Sequence, residues 1–227
     1  MNPKQRAAQA ALAYIKSDSV IGLGTGSTAD LFLEALGDAI RDGRLRNVQG
    51  VPSSMRSQQR ARELGIPLTD LGTAGQLDVT VDGADEVSPQ LDLIKGLGGA
   101  LLREKIVAQN SRQLVIMIDA GKQVDILGTK GPLPVEVVPF SHEAQARFLS
   151  SLGCVPKLRM MDASQPLITD NGNYIYDCRF PGIADPHALD LALSHRAGVV
   201  ESGLFLGMAS IVLVGTEQDV IVLECTS

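Results

Sequence analysis

Leu77-Asp-Val-Thr-Val-Asp-Gly-Ala-Asp-Glu86, followed by Lys95-Gly-Leu-Gly-Gly-Ala-Leu-Leu-Arg-Glu-Lys105, is the stretch on which the reading of this 227-residue chain turns. Leu77 to Val81 is an apolar run that reads as a strand, and it leads directly into Asp82, Asp85 and Glu86. A glycine loop carrying Lys95 then passes into a helix with apolar patterning. Carboxylates at a strand end, a lysine in a glycine loop and a glutamate entering a helix can together move protons on a small polar substrate.

Working outward, the pattern around this stretch alternates strand and helix. Lys4 to Ile15 is predicted helical and Ser19 to Leu23 a buried strand, followed by a glycine loop and a helix through Ala29 to Leu36. Val48 to Val51 reads as a strand, Ser54 to Leu64 as a helix ended by Gly65, and Gln113 to Ile118 as a further strand after the Lys95 loop and its helix. Strands that are nearly continuous in apolar residues and alternate with helices predict a parallel sheet covered on both faces. The texture changes near Gly131-Pro-Leu-Pro. From there the order is strand (Val135 to Val138), helix (Ser141 to Leu152), strand (Pro156 to Met160), a hairpin at Asn171-Gly172, a helix from Pro186 to His195 and a short strand at Gly198 to Glu201. That order resembles a split βαβ sandwich. Ala209 to Val214 and Val220 to Leu223 are expected to return to the main sheet. The expectation is an α/β chain with one domain at residues 1–130 and 208–227 and a smaller one inserted at 131–207.

Composition narrows the function classes. A formal charge of −6 and a pI near 5.1 give no general attraction to nucleic acid or to an anionic membrane. No apolar run approaches the ~20 residues of a membrane span, and the N-terminus opens on an amphipathic, alanine-rich segment rather than a signal sequence. Cys154, Cys178 and Cys225 are far apart and form no C-x-x-C, which predicts reduced thiols and a cytoplasmic protein. His142, His187 and His195 show no ligand spacing, so no metal site is expected.

Each polar motif has a bland reading beside the chemical one. Gly22-Leu-Gly-Thr-Gly-Ser-Thr28 sits between strand and helix, where backbone N–H groups and the helix dipole favour an anion. It lacks the Gly-Lys-Ser/Thr of a nucleotide P-loop and the G-x-G-x-x-G spacing, so a small phosphorylated compound fits better than a nucleotide. The bland alternative is a tight turn in which Ser27 or Thr28 caps the helix. Asp82-Gly-Ala-Asp-Glu86 can be a turn with solvated acids, but ligands of parallel sheets bind beyond the carboxyl ends of strands, where it sits. Glu104 is flanked at helical spacing by Ala100, Leu101, Val107 and Ala108. A carboxylate on an apolar face suits a general base, against the bland reading of a first-turn glutamate favoured by the dipole. Lys95 among glycines and Lys122 after the next strand read either as ligand contacts or as ordinary surface lysines.

Taken together, Gly-Leu-Gly-Thr-Gly-Ser-Thr-Ala29, Val81-Asp-Gly-Ala-Asp-Glu86, Lys95-Gly-x-Gly-Gly-Ala-x-x-Arg-Glu-Lys105, and Asp125-Ile-Leu-Gly128 with Leu133-Pro-Val-Glu-Val137 resemble the type A ribose-5-phosphate isomerase family. The blocks keep order and spacing from Ser19 to the C-terminal strands. Pro52-Ser-Ser-Met-Arg-Ser57 is the stretch least like the family. The resemblance implies a Rossmann-like domain with a smaller ferredoxin-like domain, a dimer or tetramer, and cofactor-free interconversion of ribose 5-phosphate and ribulose 5-phosphate through an enediolate. By motif it implies Glu104 as the base, Asp82 and Asp85 handling hydroxyl protons and ring opening, and Lys95 stabilising the enediolate oxygen. It further implies substrate contacts at Thr25, Gly26, Ser27, Thr28, Gly83, Ala84, Gly96, Leu97, Gly98 and Lys122.

Two other classes compete. A sugar-phosphate sensor on the same fold would keep the anion loop without needing Glu104 on an apolar face, and would usually carry a DNA-binding segment, which is not evident in this sequence. A CoA-transferase-like enzyme would use a glutamate as nucleophile; the Asp82/Asp85 pair and the short chain argue against it.

Overall fold

In the computed structural model, which describes residues 1–224, helix α1 (Pro3–Ala11) leads through a 3-10 turn into strand β1 (Val20–Leu23), helix α2 (Ser27–Arg41), β2 (Gln49–Pro52), α3 (Met55–Glu63), the short α4 (Leu71–Ala74) and β3 (Val79–Gly83). Two very short strands follow, β4 (Glu86–Val87) and β5 (Leu93–Ile94), then α5 (Leu101–Gln109) and β6 (Leu114–Asp119). The later chain gives β7 (Leu133–Val137), α6 (His142–Ser151), β8 (Val155–Leu158), β9 (Tyr174–Arg179), α7 (Pro186–Ser194), β10 (Val199–Ser202), β11 (Leu204–Phe205), β12 (Ile211–Gly215) and β13 (Val220–Glu224). Asn2 caps α1 and Ser54 caps α3, each in a reciprocal capping box that satisfies two otherwise orphaned backbone donors. Cys225 lies outside the described residues.

The chain divides into two compact units. The first comprises Met1–Ala84, Arg103–Lys122 and the chain from Gly207. Its six-stranded sheet has the order β13-β12-β6-β3-β1-β2, parallel except for the β12–β13 pair. β1 pairs with β2 on one side and β3 on the other, so the winding reverses at β1. On one face of the sheet Ile21, Leu23, Val79, Val81, Val115 and Met117 join Phe32, Leu33 and Leu36 of α2 in one core, and the central strands β6 and β12 are apolar and buried on the other face as well.

The second unit comprises Asp85–Leu102 and Gln123–Leu206. Its four-stranded antiparallel sheet has the order β10-β7-β9-β8, and the chain order β7-α6-β8-β9-α7-β10 is the split βαβ arrangement, ferredoxin-like in topology. Leu133, Val135, Val137, Tyr176 and Cys178 pack with Leu149 and Leu193 of the helices. The buried Cys154 and Cys178 are free thiols in this core. The alternate residues of the same strands, Glu136 and Asp177 among them, turn to the other face. β4, β5 and β11 form a separate three-stranded sheet in this unit.

The class expected from the sequence, a parallel α/β sheet plus a smaller antiparallel α+β sheet, is what the fold contains. Details differ. The Asn171-Gly172 turn forms, with Gly172 N donating to Thr169 O at 2.9 Å and Gly172 at φ 80°. It does not join β8 to β9 directly, however, because the chain first folds back so that Leu167 N donates to Arg159 O at 2.9 Å. The three two-residue strands and α4 carry no periodicity long enough to read. Among the described residues no helix is long and apolar enough to cross a membrane.

Candidate active site

In the first unit the site grows from the reversal at β1. Ligands of doubly wound sheets sit beyond the carboxyl ends of the strands on either side of such a switch, here β1 and β3. Gly24 N donates to Val81 O at 3.0 Å, so the chain leaving β1 is held against the tip of β3. A Cβ on Gly24 would stand 2.2 Å from Asp82 Oδ1 and 2.6 Å from Asp82 Cα; only glycine permits this approach. The result is a carboxylate gripped by backbone. Asp82, 1% exposed, accepts from Thr25 N at 3.0 Å and from Gly83 N at 2.7 Å through Oδ1.

Thr25 is fixed from a second direction. Its Oγ1 donates to Ser54 Oγ at 2.7 Å and lies 2.9 Å from Ser53 Oγ, which itself bonds to Leu23 O at 2.8 Å. Gly26 turns the chain with φ 117° and is the N-cap of α2 with no side-chain cap. The bland alternative, in which Ser27 or Thr28 caps the helix, does not hold: both lie inside it, and Ser27 Oγ accepts from Lys4 Nζ at 3.3 Å. Gly26, with φ 117° and an extended ψ of 176°, occupies the N-cap position itself, so the two hydroxyls stand one and two residues past it. A Cβ on Gly83 would lie 3.9 Å from Thr28 Cβ, so the anion loop and the β3 tip meet. Ala84 follows, half-buried. Lys122 ends the 3-10 turn after β6, the parallel neighbour of β3, and so lies at the same carboxyl edge.

Glu104 lies in the first turn of α5 and is 3% exposed; Lys105 beside it is 6% exposed, and Val107 and Ala108 are buried. A charged side chain so deeply buried needs partners or a function that repays its desolvation. Nearby in this unit a cavity of about 290 Å³ is lined by Ser54, Gln58, Asp70, Arg103 and Ile106 among others. Another, of about 310 Å³, sits at the amino ends of β1 and β3, against Lys16, Asp78 and Arg112, where the sheet presents no loop–helix junction.

The second unit holds Asp85 and the Lys95 loop. Asp85 N donates to Ile94 O at 2.8 Å, and Asp85 Oδ2 accepts from Leu97 N at 3.0 Å. Lys95 is 3% exposed, its main-chain N donates to Gly203 O at 2.9 Å and its Nζ stands 5.3 Å from the centre of the Phe205 ring. Gly96 is buried while Leu97 and Gly98 are exposed, with the turn closed by Gly99 N donating to Gly96 O at 3.0 Å. Glu86 was not singled out as a site residue, yet its buried carboxylate accepts from Gly128 N at 2.6 Å, Lys130 N at 2.9 Å and Gly131 N at 2.6 Å. Ser53 and Ser54 were also missed as Thr25 partners. The Ser54-x-x-Ser57 capping pattern was the available signal. Among the described residues no cluster of His, Cys, Asp and Glu is placed to hold a metal ion.

A doubly wound sheet whose switch point carries a backbone-held aspartate, hydroxyls and a glycine-turned helix start defines an α/β protein built around a small polar ligand. The chain belongs to the ribose 5-phosphate isomerase A (phosphoriboisomerase A) family, whose model matches residues 49–219. It is 50% identical over 222 residues to ribose-5-phosphate isomerase A of Roseiflexus castenholzii, covering 98% of this chain and 95% of that one. It is 46% identical to the Pyrococcus abyssi ribose-5-phosphate isomerase A, covering 97% of each. Among solved structures it is similar to a D-ribose-5-phosphate isomerase in complex with phospho-erythronic acid, at TM-score 0.96 and 42% identity over 99% of this chain and 100% of that one. The isomerase from Methanocaldococcus jannaschii follows at TM-score 0.92 and 42% identity, over 97% of each chain.

Proposed function

We propose that this protein interconverts D-ribose 5-phosphate and D-ribulose 5-phosphate, in the non-oxidative branch of the pentose phosphate pathway, through an enediolate and without a cofactor. The observation that carries the reading is Glu104, a carboxylate 3% exposed on a helix, in a chain that belongs to this family along nearly its whole length. An aldose–ketose isomerisation needs one base to take the C2 proton of the open-chain aldose and return it to C1, and a positive or hydrogen-bonding environment for the oxygen that becomes negative. Glu104 is assigned the first task and Lys95 the second. Asp82 and Asp85 move hydroxyl protons and assist ring opening. Thr25, Gly26, Ser27, Thr28, Gly83, Ala84, Gly96, Leu97, Gly98 and Lys122 hold the substrate, Lys122 at its phosphate. The phospho-erythronic acid in the related structure is an acyclic phosphorylated acid, similar in charge to an enediolate phosphate, and supports the same ligand class here.

The protein is further proposed to act in the cytoplasm as a homo-oligomer, most simply a dimer. The absence of any C-x-x-C spacing and the free thiols of Cys154 and Cys178 are consistent with a reducing compartment. Two-fold closure is the commonest symmetry.

Purified protein assayed with ribose 5-phosphate and no added metal is expected to form ribulose 5-phosphate, a product neither a sensor nor a CoA transferase would make. Glu104→Gln keeps the shape and removes the basicity. It is expected to lower kcat by roughly 10²–10⁴-fold, the range of a positioned general base, with ligand binding nearly unchanged. In deuterated water the wild type should incorporate label at the migrating position and the variant should lose that exchange in step with turnover. A Glu104→Gln protein that kept its kcat and its exchange would remove Glu104 from the role and pass it to Asp85.

A further inference from the structure

Arg159, which follows β8 and which no motif singles out, makes contacts that bear on the Lys95 loop. Its Nε donates to Asp177 Oδ2 at 2.9 Å and its Nη2 to Asp177 Oδ1, a bidentate pair. The third nitrogen, Nη1, donates to both Gly96 O and Leu97 O at 3.1 Å. The two side chains are only 12% and 23% exposed. They rise from the face of the four-stranded sheet that its helices leave uncovered, where a Cβ placed on Gly99 would stand 3.9 Å from Arg159 Nη1 and from Ile175 Cδ1.

From this geometry we infer that Arg159, oriented by Asp177, is a positioning residue that sets which way the Gly96–Leu97 and Leu97–Gly98 peptides face, and so directs the Leu97 N–H to Asp85 and presents the Gly98 N–H to the substrate. In a planar trans peptide the C=O and N–H point in opposite directions. Turning the Gly96 carbonyl onto Arg159 turns the Leu97 N–H the other way, and that N–H meets Asp85 at 3.0 Å. Turning the Leu97 carbonyl onto Arg159 likewise sends the Gly98 N–H away from the guanidinium; among the described residues it engages no hydrogen bond. The glycines at 96, 98 and 99 let these peptide planes rotate freely. Without a cation behind them the two carbonyl oxygens can swing forward, and an acceptor facing an enediolate repels it. Lysine cannot replace the guanidinium, because a single ammonium lacks the fixed fork that serves a carboxylate and two carbonyls at once. The catalytic consequence rests on the isomerase reading; the orientation of the loop does not.

The test uses Arg159→Ala, Arg159→Lys and Asp177→Asn in the full-length protein. Both arginine variants should lose kcat on the order of 10²-fold, as for a lost oxyanion donor, with KM changed far less. Asp177→Asn should lose less, and Arg159→Ala/Asp177→Asn no more than Arg159→Ala alone, because the two residues act as one unit. A second readout is independent of turnover: hydrogen exchange at the Leu97 and Gly99 amides should quicken at least about tenfold in Arg159→Lys while β9 amides stay protected. If wild-type protein proves inactive on ribose 5-phosphate, the isomerase reading falls and the exchange data alone decide the loop. An Arg159→Lys protein with wild-type kcat, or with unchanged Leu97 and Gly99 exchange, overturns the inference.

Discussion

At the scale of single residues, the candidate site turns on how closely backbone approaches a carboxylate. Asp82 is held by two N–H groups at 3.0 and 2.7 Å, and the approach that makes this possible is the missing side chain of Gly24. Gly24→Ala would drive a methyl group into Asp82, with its nearest atoms at 2.2, 2.4 and 2.6 Å, one of them the main-chain Cα. Because a backbone atom cannot rotate aside, the tips of β1 and β3 must separate. Overpacking of this kind costs about 1–3 kcal/mol, and for a chain of this size each kcal/mol lowers Tm by roughly 2–4 °C. The expected outcome is a lowered melting temperature by calorimetry together with a kcat reduced by about tenfold or more, since in its proposed proton-moving role Asp82 would be misplaced and an ångström of misplacement is costly. A variant with unchanged Tm and kcat would show that the strand tips tolerate the spread. Glycine in the sequence suggested a loop; only the 2.2 Å distance identifies Gly24 as the residue that seats Asp82.

At the scale of elements, the two-residue strand β4 carries more than its length suggests. Glu86 pairs with Ile94 in the β4–β5 ladder and sends its carboxylate to three amides of the 128–131 loop. An ionised carboxylate matches three converging donors because it only accepts. Glu86→Gln places an NH₂ group against at least one of those N–H groups and leaves a buried donor unpaired, which costs about 1–3 kcal/mol. Urea unfolding should show a lower midpoint at an unchanged m-value, the sign of lost stability without a change in the surface exposed. An unchanged midpoint would mean that water or a shifted loop satisfies those amides instead. The long elements were legible because their signals are local: α3 has its capping box, β6 its unbroken apolar run, and β7-α6-β8 its change of period. β4, β5 and β11 were not, since strands of two residues show no alternation and exist only through their partners.

At the scale of the molecule, the exposed apolar residues bear on assembly. β13 is an edge strand of the parallel sheet, and Ile221 and Val222 on it are 52% and 47% exposed. Edge strands with bare apolar side chains are normally covered. Light scattering at micromolar concentration should therefore give at least twice the 24.0 kDa chain mass. A mass near one chain at that concentration would refute the oligomer. Ile221→Lys and Val222→Lys together should shift the distribution toward the monomer if β13 forms the contact; an unchanged mass would place the interface elsewhere.

Sequence by itself determined the α/β class, the order of the main elements, the polar stretch from Asp82 to Glu86 and the burial expected of Glu104. Those properties follow from periodicity, glycine placement and local composition, each encoded over a few neighbouring residues. Tertiary structure decided the rest. Sequence spacing left Ser27 and Thr28 as possible caps, and the fold sets Gly26 at the N-cap position, one and two residues before them. Nothing near Arg159 or Asp177 in the chain connects them to Gly96 and Leu97, yet the β8–β9 register and the fold-back after Leu158 bring the guanidinium to both carbonyls. Such contacts join residues separated by more than sixty positions. They leave no periodic trace in the sequence because a single side chain makes them, and only the packed sheet brings the two stretches of chain within hydrogen-bonding distance.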